Sequence, residues 1–183
     1  PFQYHNWEMT PYHNQNSWVL NDDAKFEKVL DGDRAGFKIT KKYGSSIIEQ
    51  TVYLYNDGID RIDFVTDLVW KEKDQLLKAI FPVEILSSSA RYDIQFGHVE
   101  RAIHSNTSWD SARFESAGQK WVDKSENDYG VAILNDGKYG FGAFDEDISM
   151  TLVKSGGFPF DDASQIIPTF TYSILPHKHC GVN

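Results

Sequence analysis

Four carboxylates lie among aromatic residues in the segment 106–126, and this combination is typical of sites that cleave glycosidic bonds. Such hydrolysis needs two carboxyl groups flanking the bond, one as acid and one as base or nucleophile. The carboxylates of the segment are Asp110, Glu115, Asp123 and Glu126. However, the chain has 27 acidic residues, and their spacing in sequence gives no separation in space. We therefore expect Asp110 and Glu115 to pair with Arg113 or cap turns, and we assign no catalytic residue.

Three aromatic side chains of the same segment have two alternative interpretations. Trp109, Phe114 and Trp121 present flat apolar faces of the kind that stack on sugar rings. Large aromatic residues also dominate the cores of β-sandwiches, since each buries a large apolar area. We expect these side chains to belong to the core, with a sugar-binding platform as the alternative.

Metal-binding side chains gather near the end of the chain, in His177-Lys178-His179-Cys180. Zinc sites usually combine ligands from two places in the sequence, and Cys180 is the sole cysteine. His5 and His13 would join this tail only by an accident of folding. We therefore predict no metal site here and expect a solvated strand end. The sequence also contains no G-x-S-x-G nucleophile motif, no P-loop and no dinucleotide fingerprint.

Composition indicates one globular domain that does not bind polyanions. The 183 residues are 40% hydrophobic and 14% aromatic, and their formal net charge is −9. This charge disfavours nucleic acid and anionic membranes as partners, because both attract basic surfaces. No run approaches the roughly 18–20 apolar residues of a membrane span. The single cysteine and the lack of a visible signal peptide predict a cytoplasmic location, and the start at Pro1 predicts a piece of a longer protein.

Hydrophobic residues alternate with a period of two over most of the chain, which is typical of β-strands. Asn/Asp/Gly turns at 31–33, 56–58 and 135–137 separate pairs of such runs, and each pattern predicts a hairpin. Asp23–Leu30 is the one segment that also suggests a helix. We predict further strands at Leu77–Leu86, Tyr92–Phe96, Val99–His104, Trp121–Val122, Ile148–Lys154 and Phe170–Leu175. The pattern indicates an all-β, large two-sheet sandwich over residues 1–183, with 1–16 as an extended lead-in and 155–164 as a loop.

The turn at 135–140 is the strongest candidate for contact with a ligand. Loops on a rigid scaffold are where such contacts usually lie. Asp136, Lys138 and Tyr139 are therefore the predicted substrate-adjacent residues, projecting toward a ligand or a neighbouring domain. The alternative is a plain hairpin connection.

Ordered motifs over residues 29–177 resemble glycoside hydrolase family 38, the α-mannosidases. The motifs are Ile62–Phe64, Leu76–Lys78, Phe81–Val83, Tyr92–Gly97, Glu100-Arg101, Asn106–Asp110, Ala112–Glu115, Lys120–Asp123, Tyr129–Ala132, Asn135-Asp136, Lys138–Gly140, Thr171-Tyr172 and Leu175–His177. The sequence departs from the family pattern at Gln119, Gly137 and Lys154 and across Ser164–Pro168. These departures concern substrate preference more than fold.

The resemblance implies the C-terminal part of these enzymes, a galactose-mutarotase-like supersandwich. The catalytic aspartate and the zinc ligands then lie in an N-terminal α/β barrel, which is followed by a helical domain. Neither domain has a counterpart in this chain, so the resemblance implies no cofactor here and zinc in the parent enzyme. The implied partners are the barrel, the helical domain and mannose-containing carbohydrate. The implied structural motif residues, in the core or between domains, are Trp109, Asp110, Arg113, Phe114, Trp121 and Asp123.

The leading hypothesis is a non-catalytic part of a zinc-dependent retaining α-mannosidase. One alternative is a free-standing carbohydrate-binding module that uses exposed aromatic faces. The other is a purely structural buttress between domains, with buried aromatics and polar turns that face a partner domain.

Overall fold

The computed structural model describes residues 9–10, 12–21, 23–56, 58–144, 146–157 and 169–178. Within these ranges the chain forms thirteen β-strands and one short helix, so the all-β prediction is confirmed. The elements are β1 (Lys25–Asp31), β2 (Arg34–Tyr43), β3 (Ser46–Tyr55), β4 (Ile62–Val69), β5 (Leu76–Pro82), β6 (Ser89–Ile94), β7 (Gly97–Ala102), α1 (Ser108–Ser111), β8 (Ser116–Ala117), β9 (Trp121–Ser125), β10 (Gly130–Asn135), β11 (Gly140–Gly142), β12 (Asp147–Lys154) and β13 (Phe170–His177). No helix in these ranges is long and apolar enough to cross a bilayer.

Nine strands form the larger sheet, in the order β1-β2-β3-β4-β13-β10-β9-β6-β7, and all neighbours are antiparallel. Two of its hairpins follow the predicted turns. Gly32 joins β1 to β2 with φ of 60°, and Gly58 lies between β3 and β4 with φ of 80°. Glycine adopts these positive φ values without the steric penalty that a Cβ would add. The segment that also suggested a helix is strand β1.

Four strands form the smaller sheet, in the order β5-β12-β11-β8. Its β5 strand packs on the middle of the larger sheet, because the Phe81 ring lies 5.6 Å from the Phe64 ring and 6.3 Å from the Tyr172 ring. The pairing of β12 with β5 has an irregularity between Thr151 and Val153. The prediction of two packed sheets is therefore confirmed.

Two predicted features of the chain are wrong. The Asn135–Gly137 turn does not close a hairpin, since β10 pairs with β9 and β13 in the larger sheet while β11 pairs with β12 and β8 in the smaller one. The chain therefore crosses between sheets at this turn. The predicted strand Leu77–Leu86 ends earlier, at Pro82, which has no amide hydrogen to continue a ladder.

The core lies between the two sheets and is made by alternate residues of each strand. Phe64 and Tyr172 stack with ring centroids 4.9 Å apart, and Gln50 donates a hydrogen bond of 2.8 Å to the Tyr172 hydroxyl. Burial raises the pKa of Tyr172 to about 12. The side chains with no exposed surface are Val122, Lys124, Ile133, Phe141, Ile148 and Met150.

The opposite face of the larger sheet carries a buried carboxylate. Asp63 is 5% exposed, and its carboxylate accepts hydrogen bonds from Arg61 Nε at 2.7 Å, Arg61 Nη2 at 3.1 Å and Ser173 Oγ at 2.5 Å. The Tyr55 hydroxyl donates to Oδ2, the oxygen that also accepts from Arg61 Nη2. Burial alone raises the pKa of Asp63, but the hydrogen bonds from Ser173, Tyr55 and Arg61 outweigh it and lower the pKa. Asp63 therefore links β4 to β13 as an ionised group.

Candidate functional site

The crossing between the two sheets is held in shape by one asparagine side chain. Asn135 Oδ1 accepts hydrogen bonds from the amides of Gly137 at 3.0 Å and Lys138 at 2.5 Å. Its Nδ2 group donates to the carbonyls of Gln119 at 2.8 Å and Lys120 at 3.3 Å. Asparagine favours this kind of turn because its side chain satisfies backbone donors that follow it. The crossing is thus tied to the loop before β9.

Asp136 is on the surface, but its polar groups bind the neighbouring strand. Asp136 Oδ2 accepts a hydrogen bond of 2.9 Å from the Thr171 amide, and the Asp136 amide donates to the Thr171 carbonyl at 3.2 Å. Lys120 Nζ donates to the Asp136 carbonyl at 3.2 Å. The residue therefore extends the pairing at the start of β13.

Lys138 and Tyr139 differ in where their side chains lie. The Lys138 ammonium is 3.9 Å from the centroid of the Phe170 ring, a cation–π contact. Burial lowers the pKa of Lys138, and the charge of Asp136 opposes this shift. Tyr139 is 66% exposed. Of the three predicted substrate-adjacent residues, Asp136 and Lys138 thus make internal contacts, and Tyr139 presents its ring to solvent.

Asp110 lies in the first turn of a short helix and binds the N-cap residue, Thr107, instead of standing free in a cleft. The Thr107 hydroxyl accepts a hydrogen bond from the Asp110 amide at 3.1 Å and donates one to Asp110 Oδ2 at 2.6 Å. His104 Nδ1 lies 3.5 Å and Arg113 Nη2 lies 4.0 Å from the same carboxylate. The Thr107 hydrogen bond, helped by His104 and Arg113, lowers the pKa of Asp110. The carboxylate is therefore held ionised at the N-terminus of α1.

The three aromatic residues of this segment are not core residues. Trp109 is 77% exposed, because α1 has four residues and buries none of them. Phe114 is half-buried, with its ring 4.7 Å from the His13 ring. Trp121 is half-buried, with its ring 6.2 Å from the His98 ring. The expectation that all three pack in the core is wrong, most clearly for Trp109.

Glu115 lies just before β8 and binds side chains from two other strands of the smaller sheet, β5 and β12. Its Oε2 atom accepts hydrogen bonds from Lys78 Nζ at 3.0 Å and from Thr151 Oγ1 at 2.7 Å. A Cβ on Gly140 would lie 2.2 Å from Glu115 Oε1, so the lack of a side chain there makes room for the carboxylate. Both charged side chains are largely shielded, at 17% exposed for Lys78 and 14% for Glu115.

Asp123 makes a contact with His177 that no local pattern predicted. Asp123 Oδ1 lies 2.7 Å from His177 Nε2, and Oδ2 accepts a hydrogen bond of 2.6 Å from Ser125. Gly130 leaves the space for this contact, since a Cβ there would lie 2.4 Å from His177 Cε1. The two partners are 54 positions apart in sequence. Sequence patterns therefore could not predict this contact, and only the lack of a side chain at Gly130 hinted at it.

A small polar cavity of about 40 Å³ adjoins Asp123, and an open hollow of about 610 Å³ lies beside it. The residues that line the cavity are Ser87, Ser89, Arg91, Glu100, Asp123 and Ser125. Of the predicted metal-capable residues, His5, His179 and Cys180 lie outside the described residues. Across the part of the chain that the structure describes, no three His, Cys, Asp or Glu side chains gather as a metal site would require.

Comparison of the chain with known proteins shows which family it belongs to. Residues 1–163 match the family model described as glycosyl hydrolases family 38 C-terminal domain. Among curated relatives, alpha-mannosidase G of Dictyostelium discoideum is 44% identical over 74% of this chain and 12% of its own length. Human alpha-mannosidase 2C1 is 35% identical over 97% of this chain and 17% of its own length. The chain thus spans less than a fifth of the curated relatives it matches.

Solved structures agree on the fold. An alpha-mannosidase from Enterococcus faecalis V583 superposes with a TM-score of 0.75 at 18% identity, over 87% of this chain and 23% of that one. Galactose 1-epimerase from Lactobacillus acidophilus NCFM gives 0.50 at 9% identity, over 85% and 66%. The supersandwich prediction is therefore confirmed. The chain belongs to glycosyl hydrolase family 38, as its C-terminal domain.

Proposed function

We propose that this chain is the non-catalytic β-sandwich part of a zinc-dependent retaining α-mannosidase that hydrolyses α-mannosides. The observation that carries the proposal is that the carboxylates of the 106–126 segment are already bound by other groups of the domain. Asp110 binds Thr107 at the N-terminus of α1, and Glu115 binds Lys78 and Thr151. Asp123 binds His177, and Glu126 accepts a hydrogen bond from the Leu86 amide. A retaining site needs two carboxyl groups about 5–5.5 Å apart that are free to meet a sugar. These carboxylates instead make contacts within the domain.

The catalytic machinery then lies in the rest of the parent polypeptide. Its nucleophile and general acid would come from the N-terminal barrel, and bound zinc would supply a Lewis acid that orients substrate hydroxyls. The described residues do not fit zinc, because no three ligand-type side chains gather among them. The sole cysteine, Cys180, supports a cytoplasmic location for the parent.

The sheet-to-sheet crossing is the part of the domain that we expect to face the catalytic domain. Asn135, Asp136 and Lys120 brace its backbone, so Tyr139 is presented from a rigid support. An exposed tyrosine suits such a contact because it combines apolar area with a polar tip and has few rotamers to order. In this role the domain buttresses the barrel and borders the outer cleft.

Hydrolysis of an aryl α-mannoside tests the proposal. We expect turnover by the parent polypeptide and none by the purified 183-residue chain at the same molar concentration, with circular dichroism checking that the chain is folded. Chelator treatment of the parent should abolish turnover, and added zinc should restore it. Robust turnover by the pure chain would contradict the non-catalytic assignment, and chelator-resistant turnover by the parent would contradict the zinc dependence.

Exposed aromatic faces favour a carbohydrate-binding role as the second candidate. Trp109 is 77% exposed and Tyr139 is 66% exposed. Isothermal titration with mannose-containing glycans would then show saturable binding that Trp109→Ala abolishes without unfolding the chain. Trp18→Ala is the matched control, because Trp18 is 56% exposed but stands outside the motif. Lack of binding by the wild-type chain would exclude this role.

A further inference from the structure

Among the described residues, the larger sheet extends beyond the smaller one and leaves apolar side chains exposed. Phe26, Leu30, Phe37 and Leu54 are 65%, 74%, 54% and 58% exposed. They lie on β1, β2 and β3, at one side of the nine-stranded sheet. We call these four residues the β1–β3 apolar face. Contiguous exposed apolar surface of this kind usually marks a site of interaction.

Strand register shows that the β1–β3 apolar face continues the core. Phe64 of β4 lies opposite Val52 of β3, which lies opposite Phe37 of β2. Residues directly opposite one another across a sheet share a face. Phe64 packs against Phe81 of the smaller sheet. The same row therefore begins under the smaller sheet, reaches solvent two strands later at Phe37, and ends on β1 at Lys28, which lies opposite Phe37.

The next rows follow the same geometry. Leu54 is two residues beyond Val52 and lies opposite Ala35, which lies opposite Leu30. Phe26 lies opposite Ile39, two residues beyond Phe37. Because side chains along a strand alternate with a period of two, all these residues share the inner face.

The smaller sheet stops where this uncovered area begins. Its terminal strand is β5, which lies over β4 through the Phe81–Phe64 contact. Its other end is near β6, since a Cβ on Gly118, just after β8, would lie 3.5 Å from Tyr92. The open edge of β5 therefore points toward β3, β2 and β1. Among the described residues β5 pairs with β12 alone, so its far side is available for another strand.

We propose that further β-strands of the same parental polypeptide, from outside residues 1–183, add to the edge of β5 and cover the β1–β3 apolar face. Neighbouring strands are spaced about 4.8 Å apart, so two or three added strands would reach across β3 and β2. Backbone hydrogen bonds to β5 would give register, and apolar side chains at alternate positions would fill the gap.

The size of known relatives favours this occupant over a separate protein. The curated α-mannosidases are matched over 12% and 17% of their length, so their chains have ample sequence to supply strands. Galactose 1-epimerase shares the fold, and the match covers 66% of that chain, so about a third of its residues have no counterpart here. Lys28 lies between Phe26 and Leu30 on β1, and charges on an edge strand discourage further pairing. We therefore expect the new strands to join β5 and not β1.

Hydrogen exchange of the full parental polypeptide tests the proposal. We expect the amides of residues 76–81 to be protected throughout, whereas a free edge would leave alternate amides exchanging at the rate of open backbone. Phe37→Asp should speed exchange in residues 76–81 by at least tenfold. Leu86→Asp should leave it unchanged, because Leu86 is 90% exposed and follows the end of β5.

Thiol labelling provides a second readout that does not depend on a disruptive substitution. In the parent, a Phe37→Cys thiol should react with a water-soluble maleimide at least tenfold more slowly than a Leu86→Cys thiol, after subtraction of labelling in the unsubstituted parent. Equal labelling rates or alternating exchange along β5 would overturn the proposal. Protection that appears only in a concentration-dependent dimer would also overturn it and would assign the face to a second copy. Neither readout depends on hydrolysis, so the proposed function stands or falls separately.

Discussion

Replacing Asp63 with asparagine should destabilise the sandwich far more than its single lost charge suggests. Four donor groups converge on this carboxylate, two from Arg61 and one each from Ser173 and Tyr55. An asparagine amide keeps one acceptor oxygen and places an NH₂ donor where the other oxygen was. Whichever way the amide turns, one Arg61 N–H group loses its acceptor and faces another donor, while the hydroxyl on that side must rotate to accept from the new NH₂ group.

The expected cost follows from the burial of these groups. Hydrogen bonds to charged groups contribute about 1.5–3 kcal/mol each, and a buried unsatisfied donor costs about 1–3 kcal/mol. Arg61 is 36% exposed, so water replaces part of what its guanidinium loses. Ser173 is 7% exposed, so water does not replace the charge-assisted hydrogen bond that its hydroxyl donates to the carboxylate. We therefore expect a loss of about 3 kcal/mol, which lowers Tm by about 6–12 °C in a chain of this size.

Urea unfolding followed by tryptophan fluorescence measures this loss, and its pH dependence adds a second check. The folded-state pKa of Asp63 is lowered, so the folded chain binds fewer protons than the unfolded chain as the pH falls through this range. The stabilisation is fully present above the usual pKa of 3.8 and is lost as the pH falls through the lower folded value. The difference between wild type and Asp63→Asn should therefore shrink in acid.

The matched control is Asp31→Asn, which removes another aspartate bound to an arginine. Asp31 Oδ2 lies 2.6 Å from Arg34 Nη2, but the Asp31 side chain is 53% exposed. Exposed ion pairs contribute roughly 0.2–1 kcal/mol, so this change should cost well under 1 kcal/mol. Equal losses for Asp63→Asn and Asp31→Asn would refute the reasoning that burial and convergent donors make Asp63 important.

Two further predictions concern backbone packing and a buried amine. Gly36→Ala should lower the free energy of unfolding in urea by about 1–3 kcal/mol, because the added Cβ would lie 1.8 Å from the Val52 carbonyl oxygen. Gly97→Ala is the control and should leave stability unchanged, because an added Cβ there would meet nothing within 4 Å. Similar midpoints for the two would contradict this. Lys138 has a lowered folded pKa, so wild type should gain stability relative to Lys138→Met as pH rises through that pKa toward 10.5. If the stability difference between wild type and Lys138→Met did not change with pH, burial over Phe170 would not lower the pKa of the Lys138 amine.

Local sequence was sufficient to predict strands and some of their connections. The turns at Gly32 and Gly58 were predicted because a tight turn needs residues that tolerate positive φ, and that requirement is local. The same signature at Asn135–Gly137 predicted a hairpin wrongly. Its backbone turns as expected, but the strands on either side find their partners in different sheets. Such pairing is decided by distant segments that a turn signature does not encode.

The candidate site shows the same division. The sequence by itself determined the alternation of the strands, the acidic charge and the motifs that mark the family. Tertiary structure decided that Trp109 is exposed, that Lys138 lies over Phe170, and that Asp123 meets His177. It also decided that the Glu115 carboxylate accepts hydrogen bonds from Lys78 and Thr151. The physical reason is that residue type sets what a side chain can bind, whereas burial and neighbours arise from segments far apart in the chain.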